Sequence, residues 1–289
     1  MKTRKYDAID IFCFVSLTLL LFAIVMPFYS AIVTSFTTSA SYARAPVQFF
    51  PHEFTLDSYR FVMESPSLIS GYLNTIFVTA LGTVFSMVVS LLTAYGLSYK
   101  DYPGKKFLFL LVLTPMYFSG GLLPTYLVMK NLGLINSLWG IIFLCGITSF
   151  NIIILKNGID QLPQELSEAA RIDGAGELYI FARVLLPLLT PVLATISLYY
   201  AVDYWNEWFW SMMLLTKPDA KTIQSILRGI VASSQDAASG SVAAAYDNVA
   251  FSQGIKMAAV VVTMLPIMVV YPFLQKYFAK GMLVGAVKM

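Results

Sequence analysis

Six long stretches of the chain contain almost no charged side chains, and this pattern limits the folds open to it. Each is about as long as the roughly 20 apolar residues that a helix needs to cross a bilayer. The stretches are 11–30, 72–99, 107–129, 132–155, 184–210 and 257–275. The fifth has two acids near its end, Asp203 and Glu207. We therefore predict an all-α integral membrane protein with six transmembrane helices.

Composition supports this prediction and excludes several classes of function. Of 289 residues, 58% are hydrophobic and 12% are charged, about half the charged fraction of a soluble protein. A soluble enzyme of this size needs a charged surface that so few charges could hardly supply, and a disordered scaffold needs far fewer apolar residues. The net charge is +3 and the longest basic run is Lys105-Lys106, so nucleic acid is not an expected partner.

The residues that usually carry catalysis or bind metals are scarce. Cys13 and Cys145 lie in apolar stretches, where an unpaired cysteine acts as a small hydrophobe. His52 is the single histidine and lies in a polar stretch, which excludes a metal site with two imidazole ligands and a Ser-His pair inside an apolar segment. We expect no catalytic, metal or cofactor site on this chain.

Basic residues indicate how the spans are oriented. With a cytoplasmic N-terminus, the inner segments hold 12 Lys or Arg in 60 residues and the outer segments hold 7 in 87. This asymmetry agrees with the positive-inside rule and places both termini in the cytoplasm. The predicted organisation is a cytoplasmic N-terminus (1–10), a first transmembrane helix (11–35), an extracellular loop with a surface helix (36–70), a core of five transmembrane helices (71–280) and a cytoplasmic tail (281–289).

Two outer loops differ in character. The first, around residues 51–59, mixes aromatic and polar residues at a spacing that suits a short helix on the membrane surface. The other, within 217–255, contains the small-residue tract 232–241, which has little apolar surface to bury. We expect this tract to be mobile unless a partner holds it.

The segment 160–183, between the fourth and fifth spans, has the pattern of a short helix, a sharp turn and a second helix. Pro163 suits the first turn of a helix, and Glu165 and Glu168 favour its positive end. Gly174 then predicts a stop, because glycine adopts the left-handed conformation that ends helices. The second helix would begin near Ala175 and return to the bilayer at Leu186-Pro187.

This loop resembles the EAA loop of ABC-importer permeases. The matching motifs are Glu168-Ala169-Ala170, Asp173-Gly174-Ala175 and Leu186-Pro187. The resemblance covers about 51–289 and is strongest to the smaller permease of maltose-type and oligosaccharide-type importers, in particular those for polysaccharide fragments. Its other elements are Leu73-Asn74-Thr75, the segment 131–137, Trp205-Asn206-Glu207 and the tail 281–288.

The resemblance implies a type I ABC-importer permease fold in a bacterial plasma membrane. It also implies four partner chains and an oligosaccharide substrate: a second homologous permease, two ATPase subunits and an extracellular solute-binding protein, expected to be a lipoprotein. ATP and Mg²⁺ would bind the ATPases, since this chain has no Gly-Lys-Ser/Thr phosphate loop. The residues implied in ATPase coupling are Glu168, Ala169, Ala170, Arg171, Asp173 and Gly174.

A second candidate site lies where span five reaches the outer boundary of the bilayer. Asp203 and Glu207 are four residues apart, which places them on one face of a continuous helix. They could extend to the interface beside an aromatic belt, or border the outer mouth of a translocation path, where aromatic rings stack on sugars. The candidate path residues are Asp203, Tyr204, Trp205, Asn206, Glu207, Asn74 and Tyr117, with Asn136 as a further polar residue in apolar surroundings.

Three alternative functions remain open on the residues alone. The same machinery could carry polyamines or phosphate. An ion-coupled secondary carrier could use Asp203 and Glu207 as proton or sodium sites, although such a carrier has no ATPase for the 160–183 loop to contact. A membrane enzyme lacks any nucleophile–base or metal constellation.

Overall fold

The computed structural model describes residues 8–99, 102–237 and 252–286, and these residues are mostly helical. The first half contains α1 (Ala8–Ser35), α2 (Ser39–Arg44), α3 (Asp57–Glu64), α4 (Pro66–Ser98), α5 (Lys105–Tyr117), α6 (Leu122–Asn131) and α7 (Leu138–Cys145). Next come α8 (Ser149–Asp160), α9 (Gln164–Ile172) and α10 (Glu177–Tyr179), then a π-helical stretch (Ile180–Leu185). The last helices are α11 (Leu186–Leu188), α12 (Thr190–Trp205), α13 (Phe209–Leu214), α14 (Ile223–Ala237) and α15 (Ser252–Ala286).

Within the described residues, two helices, α1 and α4, are long and apolar enough to cross a membrane without a break. Three further apolar stretches are pairs of helices bent by 117°, 53° and 83°, so the part of the chain that the structure describes has up to five spans if each pair counts as one. Spans three, four and five are therefore broken helices. The number of membrane crossings remains a prediction.

The bends occur at identifiable residues. The 117° bend between α5 and α6 contains Gly120 and Gly121, and Gly121 has φ 82°. The 83° bend falls at Leu189, two residues before Pro191. Proline removes a backbone donor and clashes with the preceding turn, so a helix breaks readily before it.

The chain divides into two compact units, residues 1–66 with 227–265, and residues 67–226 with 266–289. In the first unit the end of α1 is held to the loop that follows it. Phe36 stacks on Phe54 with ring centroids 5.2 Å apart, and the hydroxyls of Ser35 and Tyr59 lie 2.7 Å apart. The first outer loop contains the short helix α3, which begins at Asp57 and is amphipathic, with Ser58 and Val62 buried. Its place on the membrane surface stays a prediction.

The second unit is built around a face of small residues on α4. Its buried members recur every three or four residues: Gly71, Thr75, Val78, Gly82, Ser86, Ser90, Ala94 and Leu97. Small side chains let helices approach closely in a membrane. The fully buried Tyr200 and Tyr204 of α12 pack here, and their hydroxyls lie 2.6 Å from Ser90 Oγ and 2.9 Å from Ser86 Oγ.

Candidate functional site

The loop from α8 to α11 has the helix–turn–helix form that its sequence predicts. Pro163 immediately precedes α9 and has φ −58°, which suits the start of a helix. Glu165 lies in the first turn and Arg171 in the last, where each complements the helix dipole. None of the nine residues of α9, all of them described, is buried. The helix therefore lies on the surface of its unit.

The turn after α9 depends on Gly174, which has φ +82°. The amide of Ala175 donates to the carbonyl oxygen of Ala170 at 2.9 Å, and the amide of Gly174 donates to that of Arg171 at 3.0 Å. This pair of hydrogen bonds is a Schellman motif, and its left-handed position favours glycine. The predicted helix stop at Gly174 is confirmed.

A polar network joins the two sides of this turn to the end of α4. Arg171 Nε donates to Glu177 Oε1 at 2.9 Å, and Arg171 Nη2 donates to the Tyr99 hydroxyl at 2.6 Å. The Tyr95 hydroxyl donates to Glu177 Oε2 at 2.8 Å. The guanidinium also lies 5.4 Å from the centre of the Tyr99 ring. Arg171 was predicted as a coupling residue, whereas nothing in the sequence singled out Glu177, Tyr95 or Tyr99.

The network keeps Arg171 charged. Hydrogen bonding to Glu177 raises the pKa of the Arg171 guanidinium. This group ordinarily holds its proton at neutral pH, and the shift favours the same state. Arg171 therefore remains a charged donor.

The segment after the turn is fixed by apolar packing. Ile180, Phe181 and Leu185 of the π-helical stretch are buried. The Phe181 ring packs against the Tyr95 ring with centroids 4.6 Å apart. Beside this packed segment a cavity of about 540 Å³ opens, lined by residues of α4, α8 and α9 and by the segments next to them. The loop is thus held firmly at its second helix and loosely at α9.

The predicted coupling residues lie together on α9 and its turn. Glu168, Ala169, Arg171, Asp173 and Gly174 are exposed, and Ala170 is half-buried. Two apolar side chains that the sequence did not single out lie nearby in the chain and are strongly exposed, Ile172 at 87% and Leu178 at 81%. Exposed apolar groups of this size are typical of a protein contact surface.

The predicted path residues near the outer boundary are dispersed, and several of them have partners within the chain. Asn74 Nδ2 donates to the carbonyl oxygens of Asp219 and Lys221 at 2.8 and 3.0 Å. The Tyr204 hydroxyl donates to the Ile142 carbonyl oxygen at 2.8 Å. Asn136, with φ 58°, accepts hydrogen bonds from the amides of Thr216 and Lys217. These polar atoms stabilise the contacts between helices and loops.

Asp203 and Glu207 are not on one face of a helix, because α12 ends at Trp205. Glu207 lies in the break before α13, where its Oε1 accepts a hydrogen bond from the Trp210 amide at 2.6 Å. Its carboxylate therefore acts as an N-terminal cap for α13. Asp203 and Asn206 are exposed, Trp205 is buried, and Tyr117 is 73% exposed at the end of α5.

Two remaining sequence predictions concern other parts of the chain. Within residues 8–99, 102–237 and 252–286, no group of three or more His, Cys, Asp or Glu side chains could hold a metal ion. The predicted mobile tract 232–241 begins within α14, which continues to Ala237, and its mobility stays a prediction. Its remainder, 238–241, lies outside the described residues.

The comparison with known families decides what kind of protein has this loop. The family of the binding-protein-dependent transport system inner membrane component matches residues 2–284. The chain belongs to this family. It is therefore a transporter permease of the membrane and not an enzyme.

The permease also resembles individual curated proteins over most of its length. It is 42% identical to the polygalacturonan/rhamnogalacturonan transport system permease protein YtcP of Bacillus subtilis (strain 168), over the whole of both chains. It is 42% identical to protein LplC of the same strain, over 91% of this chain and 89% of LplC.

A solved structure shares the fold of the permease. It belongs to a bacterial ABC transporter involved in the import of the acidic polysaccharide alginate, and the match has a TM-score of 0.87 at 29% identity. The match covers 96% of this chain and 99% of that one. The fold of this permease is thus one that a solved ABC transporter also has.

Proposed function

We propose that this permease is one of two membrane subunits of an ATP-driven importer for oligosaccharides, and that α9 with its turn docks against an ATPase subunit. The observation that carries the proposal is α9 itself, an exposed helix ended by a Schellman turn at Gly174. The family name supports a solute-binding protein as a partner. The complex would contain a second homologous permease and two ATPases, and the latter would bind ATP and Mg²⁺.

The docking surface would consist of Glu168, Ala169, Ile172, Asp173 and Leu178. Ala169 allows a close approach of the partner, while Ile172 and Leu178 supply apolar area to bury. Arg171 is engaged with Glu177 and Tyr99, so its charge is directed inward, toward its own chain. Six spans with both termini in the cytoplasm would place this surface on the ATPase side of the membrane.

The substrate we propose is a polysaccharide fragment. Two names support this substrate class. One relative is named for transport of polygalacturonan and rhamnogalacturonan, and the solved structure belongs to a transporter that imports alginate. The exposed Asp203, Asn206 and Tyr117 remain candidates for contact with the sugar. Glu207 is already engaged as a helix cap, which removes one of the two acids that an ion-coupled carrier would use.

Reconstitution tests the proposal. The permease, a second permease, an ATPase and a solute-binding protein encoded nearby are co-expressed, and the complex is purified and assayed in proteoliposomes. We expect ATP-dependent uptake of an oligogalacturonide, a rhamnogalacturonan fragment or an alginate oligosaccharide. Uptake of putrescine or phosphate instead would contradict the substrate class. Uptake driven by an ion gradient without ATP would contradict the importer.

A pair of matched variants tests the docking surface. Ile172→Glu places a charge on the exposed apolar part of the loop, and we expect the ATPase to be lost from the purified complex while both permeases remain in the membrane. Val47→Glu is the control, because Val47 is also strongly exposed but lies before α3 in the predicted outer loop. Normal ATPase association in Ile172→Glu would contradict this docking surface.

A further inference from the structure

The exposed position of α9 poses a mechanical problem. If an ATPase moves α9, the movement must reach the membrane helices, yet α9 buries none of its nine described residues and a cavity of about 540 Å³ lies along it. A helix with no buried side chain transmits little displacement through apolar contact. The transmission therefore needs a specific connection.

The polar network supplies a connection of this kind. Arg171 lies in the last turn of α9, Glu177 begins α10, and Tyr99 directly follows α4. Three hydrogen bonds of 2.6 to 2.9 Å join these three positions and Tyr95 of α4. Each of these three hydrogen bonds involves Arg171 or Glu177, which are charged, and charge-assisted hydrogen bonds are stronger than those between neutral groups. The Arg171–Glu177 pair also links the residues before and after the turn at Gly174.

We infer that Arg171, Glu177, Tyr95 and Tyr99 form a latch that positions α9 and passes its displacement to α4. The inference rests on the proposed function, since it assumes that an ATPase moves α9. These four are positioning residues, and none of them needs to touch the ATPase or the sugar. Arg171, which the resemblance implies as an ATPase contact, is thereby assigned to contacts within the permease itself.

The geometry shows where the displacement would go. Tyr95 also packs on Phe181, so the latch joins α4 to the buried segment that leads into α11 and α12. Further along α4, Ser86 and Ser90 are hydrogen-bonded to Tyr204 and Tyr200 of α12. A displacement of the latch would therefore move α4 and α12 together, and α12 carries the candidate path residue Asp203 near its other end.

Replacing tyrosine with phenylalanine tests the latch, because it removes a hydroxyl group and keeps the shape of the side chain. The double variant Tyr95→Phe/Tyr99→Phe removes both tyrosine hydroxyls from the network and keeps both rings, including the contact between Tyr95 and Phe181. Tyr102→Phe is the matched control, since it deletes the same group from a nearby tyrosine outside the latch. The complex is reconstituted with loaded binding protein, and oligosaccharide uptake and ATP hydrolysis are measured on the same vesicles.

We expect the double variant to keep the ATPase bound and to hydrolyse ATP normally. The number of oligosaccharides imported per ATP should fall about tenfold, which is an ordinary coupling loss between linked sites. Glu177→Gln should lower the same ratio, because it weakens the bond to Arg171. A further variant carries Arg171→Cys and Tyr99→Cys in a chain without Cys13 and Cys145, and a short bifunctional thiol reagent should restore part of the ratio by replacing the hydrogen bond with a covalent link.

The outcomes separate the latch from the proposed function. A wild-type ratio in the double tyrosine variant would overturn the latch and leave the importer intact. Loss of the ATPase from that variant would also overturn it, because the residues would then serve docking. Failure of the unmodified chain to associate with any ATPase would overturn the proposed function itself, before any variant is compared.

Discussion

Tyr204 packs directly on Gly82, so closely that a Cβ atom added to the glycine would lie 2.6 Å from Cζ of the tyrosine ring. The hydroxyl of Tyr204 lies 2.9 Å from Ser86 Oγ and donates to the Ile142 carbonyl oxygen. One aromatic side chain therefore joins α12 to α4 and α7. This contact explains why a glycine is needed in the middle of a long apolar helix.

Gly82→Ala should destabilise the permease by about 1 to 3 kcal/mol, because an inserted methyl group in a well-packed core forces neighbouring groups apart. Gly96→Ala on the same helix is the control, since an added Cβ there meets nothing within 4 Å. The thermal unfolding of both variants in detergent measures the difference. Equal melting temperatures would show that α4 and α12 can separate without cost.

Tyr204→Phe distinguishes a structural role of this residue from the predicted role in the sugar path. Loss of the hydroxyl removes a donor from the Ile142 carbonyl oxygen and a partner from Ser86, at a cost of about 1 to 3 kcal/mol. We expect a lower melting temperature and an unchanged KM for oligosaccharide uptake. A raised KM at unchanged stability would favour the sugar path instead.

The sequence predicted the helical membrane class and the turn at Gly174 because both depend on local properties. Long uncharged windows can hardly form anything except membrane helices. The left-handed glycine after a short amphipathic helix is also a local signal, and the structure has it at φ +82°.

The break after α12 and the polar network depend on more than such local rules. This break has no proline or glycine, and its signal is Glu207 three residues before Trp210, a capping distance. The four-residue spacing of Asp203 and Glu207 predicts instead one face of a continuous helix, which is wrong because α12 ends at Trp205. Tyr95 and Glu177 are 82 residues apart in sequence, so their contact depends on how α4 and α10 pack. Neither residue is unusual in its own segment.

Gly174→Val should abolish transport while the chain still inserts into the membrane. A β-branched residue at φ +82° is strained by more than the roughly 1 kcal/mol of an ordinary glycine substitution. An added Cβ at Gly174 meets nothing within 4 Å, so the effect would come from backbone conformation alone. Uptake in proteoliposomes and ATPase association measure it.

Gly176→Val is the matched control for Gly174→Val. It lies two residues further on, also in open space, with φ −72°, which any residue adopts. We expect near-normal uptake in this variant. Wild-type uptake and normal ATPase association in Gly174→Val would contradict the importance of the turn.

Thiol labelling tests the predicted orientation of the membrane helices. In a chain without Cys13 and Cys145, a cysteine at His52 should react with an impermeant reagent from outside, and one at Gln164 only after the membrane is opened. Both positions are exposed, so access to the reagent depends on the side of the membrane. The reverse pattern would invert the topology and remove the argument that α9 meets a cytoplasmic ATPase.

Glu207 gives a last test, because its two possible roles require different chemistry. As a cap, it needs only an oxygen that accepts the hydrogen bond of the Trp210 amide, and Gln supplies one. We therefore expect Glu207→Gln to transport nearly as well as the unmodified chain. Glu207→Ala, which removes the acceptor, should be less stable by about 0.5 to 2 kcal/mol. Melting temperature and uptake are measured on both variants. If Glu207→Gln kept its stability and lost uptake, the charge itself would be required, and an ion-binding role for this carboxylate would replace capping.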